Sequence, residues 1–367
     1  MTLHTAAQLQ HKISHGEIIE SLVIDQRLLE GVTLCGAIFN NVNFVDVDLS
    51  RRPLTEVLFD HCRLEKSRFS QATIGDCRFN HCLLSQADFT GCVLKNNVFN
   101  HCCLERGHFH HATLTETQFL QSNLNSATFD QSQLEKVVWF NTTLRDTTLT
   151  GCRVSRATLF GIDLQRTGFT GNCFDRCQFV DCLQTHNQYA AQTFTACQFT
   201  DSQLDRVDFS HAILTGSCFK GASMRHACLN DVQGAQTLFI GSDLQQANGL
   251  RGCFDQSQFI GADLRYADFS HSSLKQAILH YAQGAGCRFA DSNLTYADFS
   301  GADLSAADLR RAHFFRTRMH RAILTGAQIA NDADILARDE ALYAAEEWSR
   351  RRQPAAPNID IPPRGPL

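Results

Sequence analysis

The residue types best equipped to bind a metal or attack a substrate are plentiful: 16 Cys, 16 His and 38 acidic side chains in 367 residues. Their most suggestive arrangement is His61-Cys62, His81-Cys82 and His101-Cys102, an imidazole and a thiol recurring every twentieth residue. Zinc chemistry needs about four such ligands converging on one point. A spacing of twenty does that only if the chain brings the pairs together with His and Cys on the same side, and no Cys-x-x-Cys or His-x-x-x-His unit lies beside them. Nucleophilic and phosphate-handling signatures are missing as well: there is no P-loop, no Gly-x-Ser-x-Gly and no Gly-rich dinucleotide turn. The sequence therefore nominates no catalytic residue, no metal ligand and no cofactor site, and predicts that the protein is not an enzyme.

What positions these side chains is a period of five. In "FIGADLRYADFS", residues 259 to 270, the large apolar residues are Phe259, Leu264 and Phe269, a spacing that suits neither a helix nor a regular strand. From Leu34 to Ile329 there are sixty positions in this register, and only Gln184, Gly234, Gly249 and Gly284 do not carry a large apolar side chain. Two residues ahead of each, the chain is usually small, as at Ala72, Cys77, Cys82, Ala87, Cys92, Ala262, Ala267, Ser272, Ala277 and Ala302. Such a unit has two inward and three outward side chains and cannot bury its apolar pair by itself, so the units must stack.

A second period, of twenty, sets the stacking. Phe39, Phe59, Phe79, Phe99, Phe119 and Trp139 align at that spacing, as do Leu64, Leu84, Leu104, Leu124, Leu144 and Leu164. Opposite sides of the coil are Phe-rich and adjacent sides Leu-rich, and 24 of the 27 Phe sit at the central position. Sixty units make fifteen coils, a rod on the order of 70 Å long at a strand spacing of about 4.8 Å. In this register Cys62, Cys77, Cys82, Cys92, Cys102, Cys152, Cys177, Cys182, Cys197 and Cys287 point inward. They read as reduced, compact hydrophobes rather than as disulfide partners. The His of each His-Cys pair points outward, away from the thiol, as part of a solvated ladder.

The segments "GADLRYADFS", "YADFSGADLSAADL" and "QADFTGCVL" resemble the loose A-(D/N)-L-x-x consensus of the pentapeptide-repeat proteins, over roughly four fifths of the chain. That resemblance implies an all-β solenoid: a right-handed quadrilateral β-helix of about fifteen coils, with four pentapeptides per coil and parallel β-bridges between coils. Short helical caps are expected at both ends. At the N-terminus Thr5 can cap a helix with Gln8 three residues on, Leu9 and Ile13 form its apolar stripe and Gly16 can close it. The expected divisions are a cap over residues 1–23, the repeat array over 24–330, a capping helix over 331–352 and a Pro-rich extended tail over 353–367. Ile19, Ile24 and Leu29 already keep the five-residue phase, so the first coil can begin before Leu34. The terminal helix is expected to start near Asn331 or Asp332 and to cover the open end with Ile335, Leu336, Leu342, Tyr343 and Trp348; Ile359 and Ile361 are candidate anchors within the tail.

Function is sought on the outward positions. The residue following each central one is mostly polar, yet four successive coils of one Phe-rich side carry Leu120, Phe140, Phe160 and Val180. Val138 widens this stripe, and Ile240 and Ile260 renew it farther along. Contiguous exposed apolar surface marks an interface, so these seven residues are the expected protein-binding site, for a partner or for self-association. The register defects, with Asn187 and Gln192 near Gln184, read as structural irregularities: local bulges or kinks, or places where a neighbour such as Leu250 fills the gap.

The resemblance implies two settings. Some pentapeptide-repeat proteins imitate DNA and bind type II topoisomerases such as gyrase, which demands a strongly acidic rod. Here residues 34–329 hold 27 acidic against 26 basic residues, a net of −1, and the whole chain −5. Gyrase binding is therefore the alternative, and nucleic-acid binding is not expected. The one basic cluster, Arg310, Arg311, Arg316, Arg318 and Arg321, can pair with the acids of the terminal helix. The order of helix, long array, helix and Pro-rich end looks like the stand-alone pentapeptide proteins of bacterial type VI secretion clusters, which implies an adaptor handling an effector or spike component. With no apolar run long enough for a membrane span and no leader-like segment, the expected location is the bacterial cytoplasm, with export by a non-classical secretion system as a further option.

Overall fold

The computed structural model describes residues 5–330 and 334–350. Within them the chain is a parallel β-solenoid of about 16 turns, its bridge partners almost all twenty positions apart. Four walls result. Wall I has Ile19, Phe39 and Phe59 at its centres, wall II Ile24, Phe44 and Leu64, wall III Leu29, Leu49 and Phe69, and wall IV Leu34, Leu54 and Ile74, all buried. Three-residue strands line wall I from Ile18–Glu20 to Gln178–Val180 as a nine-stranded sheet, and wall IV from Pro53–Thr55 to Thr193–Thr195 as an eight-stranded one. Walls II and III are joined by single-residue bridges such as Asn43↔Arg63 and Asp48↔Arg68, and beyond Gln198 all four walls are joined in this way.

The bend between walls comes from one residue in every five. The second residue after nearly every centre takes the left-handed conformation, as at Asn41, His61 and Gln86 with φ of +52°, +52° and +60°, Gln26 at φ −61° being an exception. Left-handed backbone is disfavoured for L-residues, so it has to be compensated at each corner. One compensation is visible in the consensus Asp or Asn just before the centre. Its Oδ1 accepts the N–H two residues on, from Ser50 to Asp48 at 2.9 Å, from Thr90 to Asp88 at 2.9 Å and from Ser305 to Asp303 at 2.9 Å, closing an Asx turn over the bend.

A second compensation explains the small inward residue. Where that residue is Ala, its N–H turns back onto the carbonyl of the preceding centre, as from Ala262 to Phe259 at 3.1 Å and from Ala302 to Phe299 at 2.9 Å. Where the corner opens into a strand, that carbonyl instead accepts from an inward side chain of the next coil. Cys82 Sγ donates to Phe59 O at 3.3 Å, Cys102 Sγ to Phe79 O at 3.1 Å, Ser122 Oγ to Phe99 O at 3.1 Å and Asn97 Nδ2 to Ile74 O at 2.8 Å. The ten inward cysteines are buried in the expected register. Equating them with Ala as mere hydrophobes nevertheless understates them, since an unpaired buried carbonyl is costly.

Ring columns fill the rod. Phe59, Phe79 and Phe99 stack at 4.9 and 4.6 Å along wall I, and Phe69, Phe89 and Phe109 at 4.7 and 4.8 Å along wall III. The two columns meet edge to face, Phe89 against Phe99 at 6.0 Å and 86°. At the glycine defects the register continues without a bulge, Gly249 N–H donating to Asp268 O at 2.7 Å. The missing side chain is replaced from a neighbouring coil: a Cβ at Gly249 would stand 2.8 Å from the Phe269 ring, one at Gly234 3.3 Å from Phe254 and one at Gly284 3.1 Å from Leu304. Leu250 is not the filler expected from the sequence; it stays half-buried outside, its N–H held by Asn230.

At the N-terminal end helix α1, Ala6–Ser14, is capped by Thr5 Oγ1 accepting from Gln8 N–H at 3.3 Å, with Leu9 and Ile13 buried and Gly16 at φ +67° just past its end. The ladder begins at Ile18–Glu20, ahead of residue 24, and this adds a coil to the fifteen counted from sequence. The C-terminal end differs from expectation. Ile335–Leu336 is not helical but a strand paired with Thr317–Arg318, extending wall I by one rung. Helix α2 spans Glu340–Arg350, opened by Asp339 Oδ1 accepting from Leu342 N–H at 2.9 Å. Leu342 and Trp348 are exposed, and Leu324 and Ile329 at the last coil remain half-buried, so α2 lies along the flank rather than across the end. The proposed helix start at Asn331 or Asp332 and the Pro-rich tail with Ile359 and Ile361 lie outside the described residues.

Hydrogen bonds from Ser305 and Ser50 hold the Asp303 and Asp48 carboxyls below the usual carboxylate range. Their charge therefore stabilises the fold above an unfolded value of about 3.9, and the contribution is lost as pH falls through the lower folded value. Thermal unfolding followed by circular dichroism should show the melting temperature dropping below about pH 4. Asp303→Asn, which keeps an acceptor but not the charge, should lose this pH dependence and at pH 7 unfold in urea between the wild type and Asp303→Ala, which loses about 0.5–1.5 kcal/mol.

Candidate protein-interaction face

Wall I brings the expected contact residues together in two groups. The strands Gln118–Leu120, Val138–Phe140, Thr158–Phe160 and Gln178–Val180 are paired in parallel and in register, so Leu120, Phe140, Phe160 and Val180 form one column along the rod. Phe140 and Phe160 stack with centroids 5.2 Å apart and planes at 12°, and remain 39 % and 38 % exposed. Leu120, Val180 and Val138 are half-buried, Val138 standing on the opposite side of the buried Trp139. Ile240 and Ile260 are separate from this column. Thr200 and Lys220 interrupt it, and the second patch is completed by half-buried Leu238 and Ile278, which sequence reasoning passed over.

The edge between walls IV and I is charged on the same coils. Lys136, Arg156 and Arg176 occupy its left-handed position on three successive turns, with side chains 46 %, 53 % and 61 % exposed. Lys136 Nζ lies 2.6 Å from Glu116, an ion pair that raises the lysine pKa, whereas Arg156 and Arg176 reach Glu135 and Asp175 only at 4.0 and 3.9 Å. The other edge is low there, with Asn141, Gly161 and Asp181.

The His-Cys recurrence separates as its register requires. His61, His81 and His101 stack outward with centroids 4.9 Å apart, and Cys62, Cys82 and Cys102 face the core. Among the described residues no group of three or more His, Cys, Asp or Glu is arranged to hold a metal ion, and no helix is long and apolar enough to cross a membrane.

The defect at Gln184 is a polar knot in the core. Tyr189, fully buried at a wall III centre, donates to Gln184 Oε1 at 2.8 Å and accepts from Asn187 Nδ2 at 2.8 Å, while Asn187 also donates to Leu164 O at 3.1 Å. Gln192 Nε2 donates to Phe169 O. Burial pushes the Tyr189 hydroxyl well above its ordinary pKa, so it stays protonated as a donor. Gln184 Nε2 and Gln192 Oε1 have no partner.

Sequence reasoning missed a cleft of about 520 Å³ between α2 and the last coils of wall I, lined by His280, Tyr281, Arg318, His320, Leu336 and Glu346 among others. His320 is 4 % exposed; its Nδ1 accepts from Asp339 N–H at 3.2 Å and its Nε2 faces Glu346 at 3.4 Å. Arg321 joins Glu346 and Glu347 and lies 4.8 Å from the Tyr343 ring centroid, which Arg338 approaches at 4.0 Å. Of the basic cluster, Arg321 alone meets acids of α2; Arg310, Arg311 and Arg318 pair with Asp308, Asp291 and Asp298 within the coils. These groups fasten the helix. His280 Nε2 stands 3.2 Å from the Asp298 carboxylate.

A filled rod of stacked five-residue units with flat walls is a repeat scaffold, and the sequence families say which. The chain matches a pentapeptide repeat region over residues 32–109 and pentapeptide repeats over 108–138, 194–231, 253–283 and 292–328. It belongs to the pentapeptide-repeat family. Among solved structures it is similar to a trypsin-treated form of QnrB1, a plasmid-mediated fluoroquinolone resistance protein, with 21 % identity over 55 % of this chain and 89 % of that one and a TM-score of 0.30. HetL of the cyanobacterium Nostoc, a pentapeptide repeat protein involved in heterocyst differentiation regulation, shares 17 % identity over 86 % of this chain and 96 % of its own, with a TM-score of 0.16. At these identities the likeness concerns the fold alone. No curated protein matches in sequence.

The polar knot gives opposite signs for single and double substitution. Tyr189→Phe strands the Gln184 carbonyl and should cost about 1–3 kcal/mol in urea unfolding, whereas Gln184→Leu with Tyr189→Phe removes both partners and should be neutral or stabilising.

Proposed function

We propose that this protein is a non-enzymatic protein-binding scaffold or adaptor whose contact face is wall I, with Leu120, Val138, Phe140, Phe160, Val180, Ile240 and Ile260 as contact residues. The observation that carries this reading is the in-register column centred on the exposed Phe140–Phe160 stack, on a rod whose outward side chains are otherwise mostly polar. Aromatic anchors in a contiguous apolar surface supply most of the binding energy at protein interfaces. A non-catalytic role is supported by the filled core and by the engagement of the cleft's His320, Arg321 and Glu346 in holding α2. The setting we favour is an accessory role in a bacterial type VI secretion system, handling an effector or spike component from the cytoplasm. Its support is the order of a capped helix, an uninterrupted array, a second helix and a Pro-rich end. The rival, a topoisomerase-binding DNA mimic, is disfavoured by the near-neutral rod, 27 acidic against 26 basic residues over 34–329.

Phe140→Ser with Phe160→Ser should leave the circular dichroism spectrum unchanged, because both rings face outward, with the urea midpoint lowered by no more than the loss of their stack, about 1 kcal/mol. The same variant should lose partner capture from host extract by at least about tenfold; undiminished capture moves the contact elsewhere. In a gyrase supercoiling assay, no inhibition or protection is expected at micromolar protein, and either effect would revive the rival reading.

A further inference from the structure

Two departures from the rod's regular surface coincide on the same coils. The first is the outward column Leu120, Phe140, Phe160, Val180. The second is Lys136, Arg156, Arg176, the one place among the described residues where three successive coils carry Lys or Arg at the same corner. Stacked like charges about 4.8 Å apart destabilise a ladder, and the loose contacts of Arg156 and Arg176 at 4.0 and 3.9 Å do little to relieve them. Both rows run parallel to the rod axis on either side of buried Trp139.

We infer that this part of wall I binds an acidic amphipathic α-helix of a partner protein, laid along the rod axis. Its apolar side would sit on the Phe140–Phe160 column and its carboxylates would face Lys136, Arg156 and Arg176. The inference rests on wall I being the contact face. The column from Leu120 to Val180 is about 14 Å long, matched by about ten residues of helix at 1.5 Å each. A helix is also about 10 Å wide, enough to span from the column to the cationic edge, whereas one extended strand covers a single row. The molecule already shows the mode once: its own α2, EALYAAEEWSR, lies on the flank of the last coils with Glu346 and Glu347 on Arg321 and Tyr343 against that guanidinium. A second copy packed on wall I fits less well. Antiparallel, it would set the cationic row against itself; parallel, it would offer that row only Asp181 and Asp201.

The test uses the full-length protein and two synthetic helical peptides with the same Leu and Phe face, one flanked by Glu and the other by Lys, measured by fluorescence anisotropy. The Glu peptide should bind at least about tenfold more tightly than the Lys peptide at about 50 mM salt, a gap that narrows at about 500 mM. Arg156→Glu should erase that preference, and Phe160→Ser should weaken both peptides, with circular dichroism verifying that each variant is folded. Equal binding of both peptides that still falls with Phe160→Ser would overturn the acidic-helix assignment while leaving wall I as the contact face. Binding indifferent to Phe160→Ser would overturn wall I as well, and binding of neither peptide would overturn the helix proposal. A concentration-dependent dimer in sedimentation, lost in Phe160→Ser, would reassign the surface to a second copy and likewise overturn it.

Discussion

Every coil of this rod directs most of its backbone N–H and C=O groups along the axis, so no coil is complete without the one before and after it. Ladder bonds such as Leu64 N–H to Leu83 O at 2.7 Å and Arg63 N–H to Val42 O at 2.9 Å recur from the first coil to the last. Because an unpaired buried peptide group is costly, stability is a property of neighbouring coils rather than of any one of them. The same constraint makes the ends special. Helix α1 buries Leu9 and Ile13 against the first coil, and Ile335–Leu336 adds a rung beyond Thr317–Arg318 before α2 is fastened to the flank by Arg321.

The corners are where this constraint meets stereochemistry. A left-handed residue every fifth position turns the chain but leaves the central carbonyl and a nearby N–H in need of partners. An Ala such as Ala262 closes the turn on itself, while inward side chains such as Cys82, Ser122, Thr142 and Asn97 also reach back to a carbonyl of the preceding coil. The ten inward cysteines combine small volume with a weak donor. The Gln184–Tyr189–Asn187 knot extends that habit, with amides in the core tied partly to one another and partly to Leu164 O.

A core packed with ring columns fills the interior of the rod, and the proposed contact face lies on a wall. Flat walls with side chains fixed at a 4.8 Å repeat are rulers for a partner: whatever binds must match rows along the axis. Wall I departs from the common polar pattern by carrying an aromatic column beside a cationic edge.

The sequence by itself determined the register. Periods of five and twenty place each side chain inside or outside, pair Phe140 with Phe160, bury the ten inward cysteines and turn His61, His81 and His101 outward, because a side chain's wall and depth follow from its residue number once the repeat is known. It could not determine what fills a vacancy or where a non-repeating segment comes to rest. Phe269 occupying the space of Gly249, Tyr189 bonding Gln184, and Glu346 meeting both His320 and Arg321 depend on which neighbour can reach, a matter of three-dimensional distance. The same holds for Ile335 and Leu336, whose apolar character suited a helix but whose backbone was claimed by the open edge of Thr317–Arg318. Only the assembled coils present that edge.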